Sequence, residues 1–314
     1  MQLPLSEAQK QGILDREGHE PCPGVEIEFE RELRPESLGE GPGSDAQARA
    51  PRQWATIFRP ASSDAQARAP RTAAPCLLCF HGGGFRMGDP NGNGAVAKVL
   101  ALKLGVVTVS VSYRLGTPEA PSGIGILEDA SHAWNWVQEH ADELGIDPAR
   151  VAVEGQSAGC LPAGHLAVAS PWIEFKNPAR PVAFISGWGP LDFVARWYDN
   201  GENNGAEDAI VGPGGYARHP SLYHQLSALA HIIPGQSKLP PALFIYGRTD
   251  PVVHARQGRL GTAAWAAAGG YCEELYLPNI GHGIAGDNRP QREHVLSKVL
   301  AFSEARWVAP PGAW

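Results

Sequence analysis

The sequence predicts an α/β protein with a mostly parallel central sheet covered by helices on both faces. Three observations carry that expectation. Short apolar runs rich in β-branched and aromatic residues recur along the chain, bounded by Gly or Pro, as suits strands buried on both sides. Segments with apolar residues at three- and four-residue steps lie between those runs, the pattern of amphipathic helices. The 314 residues are 43% hydrophobic and 19% charged, which fits one α/β domain with insertions and excludes a disordered or fibrous chain.

The elements follow in order. Residues 1–24 are mixed polar and precede the first strand. Val25–Glu30 and Trp54–Phe58 alternate apolar with polar residues, which predicts half-exposed antiparallel strands. The nonapeptide SDAQARAPR occurs twice, at Ser44–Arg52 and Ser63–Arg71, without buried-face periodicity. Both copies read as parts of surface loops, 32–53 and 59–74, at the two ends of the second strand. Denser apolar runs then predict core strands at Cys76–Phe80, Val106–Ser112, Val151–Glu154, Val182–Ser186, Ala242–Tyr246 and Glu274–Leu277. Ile126, Ala130, Ala133, Trp134, Val137, Ala141 and Leu144 form one helical stripe, and further helices are expected near Ala95–Leu104, Gln257–Ala268 and Gln291–Trp307. Residues 189–238 are too long for a plain connection and rich in Gly, Asn, Pro and aromatics. They read as a lid over the strand ends, with the N-terminal segment as its second half.

Chemistry is concentrated at Val151–Gly159, where a strand runs into Gly155-Gln156-Ser157-Ala158-Gly159. In that context a Gly-x-Ser-x-Gly pattern places the serine on a strained strand-to-helix turn, with its hydroxyl exposed at the head of a helix. A serine hydroxyl is a weak nucleophile at neutral pH. It needs a base within reach, a carboxylate to orient that base, and donors for the developing oxyanion. His81-Gly82-Gly83-Gly84 directly follows a core strand, so the backbone N–H groups of Gly83 and Gly84, with that of Ala158, are the candidate oxyanion donors. Asp250 stands just past the strand Ala242–Tyr246 and is the candidate orienting acid. Asp192 and Asp287 are rivals, but the first precedes the lid and the second follows the histidine, so both fit a Ser…Asp…His order less well. His282 is the candidate base, because Gly281 and Gly283 leave it on a bare loop after the last strand. His132, His140, His165 and His294 fall on expected helices, and His219, His224 and His231 lie in the lid without a supporting metal pattern.

These motifs resemble the hormone-sensitive-lipase-like family of α/β-hydrolases, marked by an HGGG loop. The resemblance runs over roughly residues 54–305. It rests on His81–Phe85, Tyr113-Arg114-Leu115 with Pro118-Glu119, Glu128-Asp129-Ala130, Gly155–Gly159, Leu239–Ala242, Asp250-Pro251 and Gly281–Gly283, in the family's order. It implies an α/β-hydrolase fold with a cap, and Ser157, Asp250 and His282 as nucleophile, acid and base. Gln156 stands where the family commonly has an acid, Cys160 where it commonly has Gly, and Pro162 falls early in the following helix. The expected activity is hydrolysis of a small carboxylic ester or lactone. The same pocket would also serve a formamide or amide hydrolase, an acyltransferase or a lyase. A silent ligand-binding relative would be expected to lack a triad member, and all three are present here. Phe85, Trp188, Trp197, Tyr198 and Ile284 are the candidate substrate contacts.

No metal or organic cofactor is required by this chemistry. Cys76-x-x-Cys79 lies inside an apolar run with no second pair at metal spacing, so it reads as strand core. Asp89–Gly94 opens like a calcium loop but has Leu100 where the bidentate carboxylate belongs, and Gly123-x-Gly125 lacks the third glycine of a dinucleotide fingerprint. With 26 basic and 33 acidic residues and no basic stripe, nucleic acid is not an expected partner. The N-terminus carries no signal-peptide pattern and no apolar stretch approaches membrane-spanning length, so a cytoplasmic protein without a membrane partner is expected. The oligomeric state is left open, a homodimer included.

Overall fold

A computed structural model describes residues 21–35, 52–61, 73–200, 206–235, 238–283 and 289–308. Residues 1–20, most of both SDAQARAPR copies, Asn203, Asn204, Ile284 and Asp287 lie outside the described residues.

Eight strands form one sheet: β1 Val25–Arg34, β2 Gln53–Pro60, β3 Ala74–Phe80, β4 Val107–Val111, β5 Ile146–Gln156, β6 Phe184–Gly187, β7 Ala242–Gly247 and β8 Cys272–Leu277. Their order is β1-β2-β4-β3-β5-β6-β7-β8. β2 runs antiparallel to both of its neighbours, and every pairing from β4 through β3 to β8 is parallel. β1 is the half-exposed edge strand that its alternation predicts. β2 is more buried than its alternation suggests, because it is paired on both sides; its Thr56 satisfies itself by donating to Asn91 Oδ1 at 2.8 Å. The strands reach further than expected, so the connections between them shrink to 35–52 and 61–73.

Ten α-helices accompany the sheet among the described residues: α1 Gly94–Leu104, α2 Gly125–Glu139, α3 Ala141–Leu144, α4 Cys160–Ala167, α5 Phe193–Asn200, α6 Asp208–Val211, α7 Gly215–Arg218, α8 Pro220–Leu226, α9 Arg256–Ala267 and α10 Arg289–Ser303. The single stripe expected over 126–144 is interrupted at His140, whose ring stacks on Trp136. One face of the sheet packs on α1 and α10 through Val96, Val99, Leu100, Val295, Val299 and Phe302. The other packs on α2, α4 and α9 through Ile126, Trp134, Leu161, Leu166 and Trp265. Cys76 and Cys79, three apart on a strand, point to opposite faces and join different cores. They therefore cannot converge on one metal. Cys22, just ahead of β1, is buried in the core with α1.

The insertion between β6 and β7 folds as α5 to α8, and its Phe193, Ile210, Tyr223 and Leu226 extend the second core. It is tied down by polar contacts as well. Gln257 Oε1 accepts from the backbone N–H of Leu191 and of Asp192, both at 2.9 Å. His165 donates to the carbonyl of Leu226 at 3.1 Å and accepts from Ser170 at 2.8 Å. Burial pushes its imidazole down to about 3, so it stays neutral and keeps this pattern. Inside the insertion, Arg196 Nε meets Glu207 Oε1 at 2.6 Å, and Tyr223 donates to the other carboxylate oxygen at 2.6 Å. The two charged side chains are 6% and 0% exposed. No described helix is long and apolar enough to cross a membrane, and no group of three His, Cys, Asp or Glu that could hold a metal ion occurs among the described residues.

Removing one member of such a pair strands the other charge in a dry environment. Arg196→Leu is expected to cost about 3–5 kcal/mol, read as a fall in the urea midpoint at unchanged slope. A loss under about 1 kcal/mol would mean that Glu207 is already neutral in the wild type.

Candidate active site

The parallel strands end together along one edge. Gly155 is in register with Phe80 on one side and Ser186 on the other, and Gln156 with Gly187. The residues just past these ends, His81, Ser157, Trp188, Asp250 and His282, therefore gather at one place although they are far apart in the chain.

Ser157 occupies the turn between β5 and α4 with φ +51°, a left-handed conformation that a side-chain-bearing residue rarely adopts. The turn closes because its flanks have no Cβ. A Cβ on Gly155 would lie 2.3 Å from the carbonyl oxygen of Gly159, and one on Gly159 would lie 2.1 Å from that of Phe80. Cys160 donates its thiol to the carbonyl of Gly155 at 2.9 Å; burial pushes that thiol up to about 12, so it stays protonated. Pro162 falls in the first turn of α4, where a missing N–H is tolerated.

Ser157 Oγ lies 2.7 Å from His282 Nε2, and His282 Nδ1 lies 2.8 Å from Asp250 Oδ2. The consistent proton pattern has Nδ1–H donating to the carboxylate, which leaves Nε2 bare to accept from the serine. Asp250 is buried, and its other oxygen accepts from the N–H groups of Val252 at 2.8 Å and Val253 at 2.9 Å. Thr249 holds the two loops in register, giving both its N–H (3.1 Å) and its hydroxyl (2.9 Å) to the carbonyl of Ile280. The rival Asp192 caps α5 instead, accepting from the N–H of Ala195 at 2.9 Å.

The glycine loop lies against the serine. A Cβ on Gly82 would come within 3.1 Å of Ser157 Cβ. Gly83, at φ +128°, accepts from the N–H groups of Arg86 (3.2 Å) and Met87 (3.1 Å), which turns the loop back on itself. His81 anchors its base: the ring stacks on Tyr113 at 4.3 Å, and the Tyr113 hydroxyl donates to the His81 carbonyl at 2.6 Å. Burial lowers the His81 imidazole below its usual range. The neighbouring Arg114 is clamped by Asp129, Nε to Oδ2 at 2.8 Å and Nη2 to Oδ1 at 2.9 Å. Two of the expected motifs, at 113–115 and 128–130, thus meet in one structural ion pair. Asp89, the first residue of the calcium-loop decoy, caps a short turn by accepting from the N–H of Asn91 at 2.8 Å.

A pocket of about 490 Å³ opens at the serine, lined by Gly83, Gly84, Gln156, Ser157, His282, Trp188 and Val252 among others. Of the candidate substrate contacts, Trp188 lines it. Three others need correction. Phe85 is buried with its ring against Phe193 at 5.9 Å, in the core beneath the loop. Trp197 packs edge-on against Tyr223 at 5.8 Å inside the insertion. Tyr198 is 69% exposed and tilts onto Tyr216. Ile284 lies outside the described residues. Pocket residues not anticipated include Arg86, Met87, Val96, Ala206, Val252 and Arg292. Adjacency to the glycine loop and to Asp250 was an available signal for Arg86, Met87 and Val252.

The fold and the order of these motifs are those of the α/β-hydrolase class of proteins. A family model described as the alpha/beta hydrolase fold matches residues 77–286, and the chain belongs to that family. Its HGGG and Gly-x-Ser-x-Gly motifs, those of the hormone-sensitive-lipase-like branch, fall within the matched stretch. The chain is 31% identical over 230 residues to the carboxylic ester hydrolase LipN of Mycobacterium tuberculosis, covering 68% of this chain and 57% of LipN. It is 39% identical over 125 residues to the esterase LipI of the same organism, covering 40% of this chain and 34% of LipI. The matched stretches thus span between a third and three fifths of these relatives. Among solved structures, the esterase Est2 of Thermogutta terrifontis superposes with a TM-score of 0.66 at 22% identity, over 92% of this chain and 97% of that one. A bacterial heroin esterase gives 0.67 at 22% identity, over 93% and 87%. These last two likenesses are of fold.

One buried acid borders the site. Glu154 of β5 is 3% exposed, accepts from Gln156 Nε2 at 3.2 Å, and meets the Cys79 thiol at 3.1 Å. Burial raises its carboxyl above the usual range. The folded state therefore holds this proton more tightly than the unfolded chain. The resulting stability is complete below the unfolded value and is lost as pH rises through the raised one. Glu154→Gln is expected to raise Tm relative to wild type, with a gap that widens from about pH 5 to pH 8. A gap independent of pH would contradict this assignment.

Proposed function

We propose that the protein is a serine hydrolase that cleaves small carboxylic esters or lactones through an acyl-enzyme. The observation that carries this reading is the continuous chain from Ser157 Oγ to His282 (2.7 Å) to Asp250 (2.8 Å) at the floor of an open pocket. Ser157 Oγ attacks the carbonyl carbon while His282 Nε2 takes its proton. Asp250 orients the imidazole and stabilises its charged form. The oxyanion is received by the N–H groups of Gly83, Gly84 and Ala158, donors fixed in place before the reaction begins. His282 then protonates the leaving alcohol, water attacks the acyl carbon with His282 as base, and the acid departs. The insertion after β6 acts as a cap, since Ala206 lines the pocket and a Cβ on Gly84 would touch Ala206 at 3.5 Å. The named activities of LipN and LipI support this reading. So do the propionate- and butyrate-bound forms of the Thermogutta esterase, acids of the kind such a reaction releases.

With a p-nitrophenyl acyl ester, Ser157→Ala and His282→Ala are each expected to lower kcat by about 10⁴–10⁶ with the fold intact by circular dichroism. Turnover surviving either change would refute the mechanism. Asp192→Ala separates the two candidate acids. It should keep turnover and lose about 0.5–2 kcal/mol of stability as a lost helix cap, whereas Asp250→Ala should lose turnover. The reverse pattern would reassign the acid.

A further inference from the structure

The pocket holds a charge that ester cleavage does not need. Arg86 lies two residues past Gly84, within about 7 Å of it along the chain, in the turn closed on the carbonyl of Gly83. Arg86 is an exposed residue of the pocket lining, and its guanidinium makes no ion pair or hydrogen bond among the described residues. Other arginines near this edge are committed: Arg196 to Glu207, Arg114 to Asp129 and Arg256 to Asp199. Arg292 of α10 is a second arginine in the lining and is itself engaged in a contact. No Asp or Glu lines the pocket among the described residues, and Met87, Val96, Trp188 and Val252 supply apolar wall. The described lining thus carries guanidinium groups and no carboxylate, on a chain whose net charge is −7. Low-polarity walls with one sign of charge concentrate a field.

We propose that Arg86 is a specificity-determining residue that selects small esters bearing a free carboxylate. The inference rests on the hydrolase reading above and names its substrate class. The planar guanidinium fork matches a carboxylate in two parallel hydrogen bonds, which apolar esters cannot offer. The carboxylate is a spectator: the ester bond breaks, water adds, and the second acid leaves unchanged on one product. It sits on either the acyl or the alcohol half of the substrate, and the assay has one arm for each.

The test uses the purified full chain and two matched pairs. The acyl arm compares p-nitrophenyl hemiglutarate with p-nitrophenyl valerate. The alcohol arm compares p-acetoxybenzoate with its methyl ester. The readout is the ratio of kcat/KM for the anionic member to that for the neutral one, in wild type, Arg86→Gln and Arg86→Lys. In one arm the ratio should fall about tenfold or more in Arg86→Gln and recover in part in Arg86→Lys. The wild-type ratio in that arm should also fall as salt is raised. Ratios within about twofold of wild type in both arms, with the neutral esters turned over, would overturn the inference and leave the hydrolase reading standing. Neutral and anionic esters alike turned over no faster by wild type than by Ser157→Ala would instead sink the hydrolase reading, and this inference with it.

Discussion

The architecture of the site depends on one tight turn. Between β5 and α4 the chain reverses with Ser157 in a left-handed conformation, at φ +51°. Such a conformation is costly for a residue with a side chain and persists only where the surroundings impose it. Here they do: the carbonyl of Phe80 passes so close to Gly159, and that of Gly159 to Gly155, that neither position has room for a Cβ. The same contact that strains the serine also brings the end of β3 against it. That is why the glycine loop after β3 faces the hydroxyl, and why β3 and β5 must be neighbours in the sheet.

Much of this is legible in the sequence, for reasons that differ by element. Parallel strands buried on both faces are continuous apolar runs, so β3 to β7 stand out, whereas β8, expected as a core strand at Glu274–Leu277, is a half-exposed edge strand because it pairs on one side only. The bare glycines beside Ser157 and His282 and after His81 are readable because backbone closeness leaves few alternatives. Side-chain direction on loops follows no period, and there the sequence is silent. Phe85 adjoins the glycine loop yet turns into the core against Phe193, while its neighbour Arg86 is exposed and among the residues that line the pocket. Trp197 and Tyr198 are aromatic and lie in the insertion, but one fills its interior and the other faces solvent. Asp250 and Asp192 both follow a core strand; only the fold shows that the first meets His282 and the second caps α5.

The insertion and the hydroxyl–imidazole–carboxylate chain are physically joined. Arg196, paired with Glu207, also donates to the carbonyl of Val252 at 2.6 Å, and the N–H of Val252 donates to Asp250 at 2.8 Å. Two bonds therefore connect the buried ion pair of α5 to the acid that orients His282. Cys160, which departs from the family's usual glycine, is absorbed in a comparable way: its thiol closes on the carbonyl of Gly155 inside the turn itself. Departures at these positions reshape the support of the site and leave its reacting groups in place.

The central claim is that Ser157 alone carries an activated hydroxyl at a prepared oxyanion site. The most direct measurement is intact and peptide mass spectrometry after treatment with an organophosphonate, alongside ester turnover of the same sample. The account predicts one adduct per chain, on the peptide containing Ser157, with turnover lost in proportion to labelling. Full labelling at another residue, or turnover that continues in chains labelled at Ser157, would contradict it.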